Sequence, residues 1–118
     1  MNGLLPPGAE AVAWTYLFLA AALEIVMGVS LKLNAGWTRL GPSIVAVMAG
    51  LGSIYLLALA LRSLPIGMAY AIWTGIGTIG LVVVGTLVFQ EEMNWPRACF
   101  LGLALSGIIG LRFYEAAA

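Results

Sequence analysis

Glu24 is the residue of this chain whose type and place ask for chemistry. It lies midway along an apolar stretch, after Ala20-Ala21-Ala22-Leu23 and before Ile25-Val26-Met27. Every other charge, from Glu10, Lys32, Arg39 and Arg62 to Glu91, Glu92, Arg97, Arg112 and Glu115, falls at a stretch end or in a connection. An ionisable side chain at the centre of a bilayer costs on the order of 2.5–3.5 kcal/mol by insertion scales, so an acid kept there points to function. No basic residue inside the stretches answers it. Lys32 follows eight residues later, roughly 12 Å along a helix at about 1.5 Å per residue. A carboxyl so stranded is neutralised in one of two ways, by a proton or by a visiting cation. Mutual exclusion of those two states is the chemistry of proton/cation antiport. The plain structural alternative is a protonated Glu24 that only bonds a neighbouring helix.

The surroundings suit a cation. Leu17, Ala20, Ala21, Gly28 and Leu31 share the helical face of Glu24 at spacings of three, four and seven. Small residues such as Ala21 and Gly28, one turn either side, leave room for a ligand. Ser53, with Tyr55, supplies the mid-depth hydroxyls of the second stretch and is placed to hold the carboxylate by a hydrogen bond. Tyr70, Trp73 and Thr74 add aromatic faces and hydroxyls on the third, and such rings attract cations most strongly where water is excluded. Taken singly, each aromatic reads equally as packing. Gly75 and Gly77 weaken the same helix and mark either a hinge or a close helix contact.

These residues need elements to carry them. Of 118 residues, 63% are hydrophobic and 8% charged, against roughly 25% charged in a soluble domain. With a mean hydropathy of +1.07, lipid is the solvent for most of the chain. Four apolar stretches, about 11–33, 42–61, 65–89 and 96–113, match the roughly 20 helical residues that cross a bilayer core. Residues 1–10, with Pro6, Pro7 and Gly8, read as a disordered lead. That lead lacks the basic start of a cleaved signal peptide, so the first stretch is expected to stay as a span. The expected fold is all-α: one domain over 1–118, four transmembrane helices, neighbours antiparallel because the links are short. Trp14, Tyr16, Trp37, Trp95 and Tyr114 fall near the span ends as interfacial anchors.

Charge says what the chain is not. The net charge is zero and there is no His, nor any Asp, so nucleic acid, metal ligation and acid–base enzyme chemistry have no residues to work with, and no cofactor is expected. The lone Cys99 reads as a small packed hydrophobe. Lys32, Arg39 and Arg97 fall at one end of the bundle, Arg62 and Arg112 at the other. So slight a bias fits a chain that inserts both ways round. Four helices are too few to wall a solute pathway, and the small residues Gly102, Ser106 and Gly110, every fourth position of the last span, let helix backbones approach closely. They mark a contact between two copies or a contact within one.

The string Leu64-Pro65-Ile66-Gly67-Met68-Ala69-Tyr70-Ala71-Ile72-Trp73-Thr74-Gly75-Ile76-Gly77 resembles the small multidrug resistance family. Glu24 with Lys32 after it, Gly36-Trp37-Thr38-Arg39-Leu40-Gly41-Pro42-Ser43 and Gly107-Ile108-Ile109-Gly110-Leu111-Arg112 agree with it. The resemblance runs from about residue 14 to 112. It implies an antiparallel, dual-topology homodimer in the bacterial inner membrane, its fourth helices paired, exchanging protons for small organic cations at the two first-span acids. Carried over by position, Glu24, Ser53, Tyr70 and Trp73 line the site. Trp73-Thr74-Gly75-Ile76-Gly77 and the Gly-Ile-Ile-Gly ending are similar to the guanidinium-exporter branch rather than the quaternary-ammonium branch. That branch usually has Gly three residues before the acid and Trp three after, where this chain has Ala21 and Met27. The implied cargo is guanidinium, a substituted guanidine or a quaternary ammonium compound. The competing roles are a non-transporting membrane subunit, a lipid-carrier partner, or one half of a heterodimeric exporter.

Overall fold

The structure is a computed structural model that describes residues 8–117, with side chains to Tyr114. Four helices follow one another: α1 (Ala9–Leu33), α2 (Leu40–Ala60), α3 (Ile66–Leu87) and α4 (Trp95–Ala117). Each is long and apolar enough to cross a membrane, and a helix satisfies every backbone polar group internally, as hydrocarbon requires.

The boundaries follow from local chemistry. α2 starts two residues before Pro42, because the first turn of a helix has no use for that missing N–H. α4 starts one residue before Pro96 for the same reason, and Asn94 caps it by accepting the Arg97 N–H at 3.0 Å. That helix also runs past Phe113 to Ala117, beyond the apolar stretch. α1 begins at Ala9, so residues 9–10 of the expected lead are helical; residues 1–7 of it lie outside the described residues.

Between α1 and α2 the chain turns on Asn34. Its buried side chain accepts the Trp37 N–H at 3.2 Å, and its carbonyl takes the N–H groups of Thr38 and Arg39 at 2.9 and 3.1 Å. Ala35, Gly36 and Trp37 all adopt left-handed backbone, φ +50°, +71° and +69°. Only glycine does so without cost, and the three bonds to Asn34 hold the other two there.

The helices stand in a row, α2 beside α1, α1 beside α3, α3 beside α4. The molecule is accordingly a slab of 49 × 36 × 17 Å. Its core is the seam of α1 with α2 and α3, where Leu17, Ala20, Ala60, Ala69 and Ile72 are wholly covered. α4 hangs on the edge of the row, and none of its span is buried. This layout extends one expectation and corrects another. Trp14 is a core residue, 6% exposed, because Arg112 of α4 lies over its ring. Cys99 is exposed, since it lies on the unpartnered α4.

Candidate functional site

The site is assembled across α1 and α3. Glu24 of α1 is half-buried and its carboxyl lies against Gly77 of α3. A Cβ at position 77 would come within 2.7 Å of the carboxyl carbon and collide with Oε1. The bare backbone of Gly77 is therefore the seat of the acid. Oε2 of Glu24 is buried and has no hydrogen-bond partner among the described residues, and their one ion pair, Glu91 with Arg97, lies outside the spans.

One turn towards the start of α1 lies a hydrogen-bonded knot. Ser53 of α2, 1% exposed, donates to the Ala20 carbonyl at 2.6 Å and accepts the Trp73 indole N–H at 2.9 Å. One hydroxyl thus ties α1, α2 and α3 together. The bond expected from Ser53 to Glu24 is absent, because that proton is spent on the α1 backbone. The Tyr70 ring meets Trp73 edge to face, centroids 5.1 Å apart at 76°, a favourable aromatic geometry. Ser53, Trp73 and Tyr70 thus form one chain, and Glu24 sits a turn beyond it.

The smaller expected lining residues divide. Ala21 is fully covered and opens no space beside the acid. At Gly28 the space is filled by Leu81 of α3, which would lie 2.6 Å from an added Cβ. Both belong to helix packing within the chain, since α1 is the middle of the sheet of helices. Met27 lies over Gly50 of α2, its Sδ 2.9 Å from where a Cβ would stand. Thr74 turns its hydroxyl back to the Tyr70 carbonyl at 2.8 Å.

α3 runs unbroken from Ile66 to Leu87, and its glycines act as notches. Gly75 receives Ile108, Gly77 receives Glu24, Gly80 receives Ile25 and Gly85 receives Glu91. The seating of Glu24 on Gly77 escapes a reading of the sequence, because the Gly-Ile-Gly spacing signals close approach without saying by what. Gly102 and Gly110 of α4 meet nothing among the described residues, so the stripe they form with Ser106 makes no contact with them.

Four helices, each long and apolar enough to cross a membrane, define a small multi-pass membrane protein, with the half-buried Glu24 carboxyl at its candidate site. Residues 12–104 match the family model described as Small Multidrug Resistance protein. The chain is 45% identical over 101 residues to a guanidinium exporter of Yersinia pseudotuberculosis serotype I (strain IP32953), covering 86% of this chain and 97% of that protein. Guanidinium exporters of Citrobacter freundii, 45% identical over 86% of this chain and 96% of theirs, and Proteus vulgaris, 46% over 86% and 97%, match as well. The chain belongs to the small multidrug resistance family.

Proposed function

We propose that this protein exports small organic cations in exchange for protons, with Glu24 as the group that holds proton and cation in turn. The observation that carries the reading is the Glu24 carboxyl, seated on Gly77 with one oxygen unpartnered and no cation of the chain in reach. Similarity to exporters named for guanidinium supports that ion and its substituted forms as cargo. A planar guanidinium offers two parallel N–H donors to one carboxylate, the strongest geometry open to that pair. Trp73 and Tyr70 supply the aromatic faces, with Ser53 fixing the Trp73 ring. Met27 is pliable enough to accept bulkier cations, quaternary ammonium among them.

A slab 17 Å thin cannot enclose a pathway. The working unit we infer is an antiparallel homodimer in the bacterial inner membrane, joined through Gly102, Ser106 and Gly110. Two Glu24 carboxyls then share one cavity, and α3 flexes at Gly75 and Gly77 to change the side it faces. The test is transport by purified protein in liposomes under a proton gradient, offering guanidinium, a substituted guanidine and a quaternary ammonium. At least one cation is expected to move and to drive protons the other way, and Glu24→Gln is expected to abolish both. Failure of all three, or coupled transport surviving in Glu24→Gln, would overturn the proposal.

A further inference from the structure

On the outer side of the α1–α3 pair, away from Glu24, a cleft of about 270 Å³ opens between α1, α3 and α4. Trp14 and Phe18 form one wall, Ile72 and Ile76 the floor, Leu105 and Ile108 the other wall, with Arg112 at its end. Apart from Trp14 and Arg112 every lining residue is a hydrocarbon or phenyl group. We propose that this cleft binds one anionic phospholipid, an acyl chain lying in the groove and the phosphate on Arg112.

Three observations converge on that occupant. The first is direction. The start of α1, the start of α3 and the end of α4 lie at one end of the bundle, so the cleft runs from Arg112 at the membrane boundary towards mid-depth at Leu105 and Ile76. From Leu105 to Arg112 is roughly 10 Å at about 1.5 Å per residue, parallel to a lipid chain in one leaflet.

The second is charge. The Arg112 guanidinium stacks 3.9 Å above the Trp14 ring centroid. A guanidinium held by its face keeps its edge donors free, and that planar fork matches a phosphate. Glu115, three residues on along α4 with its side chain outside the described residues, and Glu10, one turn before Trp14 on α1, are the neighbouring acids, and the one ion pair among the described residues is Arg97 with Glu91. The third is an unsatisfied group. Trp14 is 6% exposed, and its indole N–H is buried without a partner. A headgroup or ester oxygen beside Arg112 would give that donor an acceptor.

A second copy is a poorer fit. Gly102, Ser106 and Gly110 lie about a third of a turn around α4 from Leu105 and Ile108 at about 100° per residue, so a partner docked on that stripe meets the groove only at its Phe113 edge. The inference does not depend on the transport reading.

The test is native mass spectrometry of protein taken from vesicles of phosphatidylcholine with a minority of phosphatidylglycerol. The full chain is expected to retain phosphatidylglycerol over phosphatidylcholine. Arg112→Gln should lower that retention about fivefold, the factor one basic residue contributes at an anionic surface. Leu105→Trp, which fills the groove from an exposed position, should lower it too, and inorganic phosphate alone should not be retained. Equal retention of the two lipids overturns the proposal. So does wild-type retention in either variant, as when a neighbouring acid already neutralises Arg112, and so does retention of free phosphate. Efficient cross-linking of Leu105→Cys between copies, with Cys99→Ser, in vesicles of phosphatidylcholine alone would give the groove to a second chain and overturn it as well.

Discussion

At the scale of single residues, the arrangement turns on two small groups that do more than their size suggests. Ser53 is the first. Its hydroxyl satisfies the Trp73 N–H and reaches the Ala20 carbonyl, bridging three helices from a fully buried position. Ser53→Ala leaves the indole N–H of half-buried Trp73 unpaired and is expected to destabilise the fold by about 1 kcal/mol, measured by unfolding in detergent. Trp73 should then lose its fixed orientation, seen as greater depolarisation of its fluorescence. Gly77 is the second. Gly77→Ala drives a methyl group into the Glu24 carboxyl, whereas Gly80→Ala drives one as closely into the Cδ1 and Cγ1 atoms of Ile25. Both crowd the α1–α3 contact, so guanidinium exchange falling much further in Gly77→Ala would separate seating of the acid from general packing. Equal losses in the two would remove Gly77 from the site.

At the scale of elements, α3 is the member on which the others register. Its glycines form notches for Ile25 and Glu24 of α1, Ile108 of α4 and Glu91 of the following loop. With lipid outside, helices gain little from hydrophobic association, and close approach at small residues provides the attraction instead. α4 has little else to hold it, since its span has no buried residue. Gly75→Val puts a side chain where Ile108 now sits, within 2.8 Å of its Cγ1. Overpacking of this kind costs about 1–3 kcal/mol. The expected outcome is early release of α4, read as faster proteolysis in the α3–α4 loop while the α1–α2–α3 unit keeps its helicity. The helices lie within a few residues of the apolar stretches near 11–33, 42–61, 65–89 and 96–113. Their ends differ where a proline enters a first turn, as at Pro42 and Pro96, because a hydropathy count treats proline as a stop.

At the scale of the whole molecule, a row of four helices presents two broad apolar faces and no enclosed interior. The antiparallel pairing proposed for α4 makes a geometric prediction. Ser106 lies midway between Cys99 and position 113, all three on one helical face at heptad spacing. In an antiparallel pair, Ser106→Cys should cross-link to itself once Cys99 is replaced by Ser, and native Cys99 should cross-link to Phe113→Cys. A parallel pair would join Cys99 to Cys99, and that result would remove the dual-topology arrangement. Disulfide formation needs Cα atoms within about 7 Å, so Cys99 with Phe113→Cys and Cys99 with Cys99 exclude each other, while Ser106→Cys joins itself in either pairing.

The sequence by itself determined the membrane class and the number of apolar spans, and it singled out Glu24 as the acid on which the proposed function rests. These follow from composition and one-dimensional spacing, because a bilayer fixes the length of a span and penalises a buried charge wherever it occurs. The family, too, was readable in the run from Leu64 to Gly77 and in the placing of Glu24 and Lys32. Tertiary structure alone decided which side chain enters which notch. Ser53 bonds the α1 backbone and not Glu24, Trp14 is packed under Arg112, and Gly28 is filled by Leu81. The reason is that a helix of apolar residues carries almost no amphipathic signal in lipid. The face it turns to its neighbours is set by where backbones can approach, and that depends on all the helices at once.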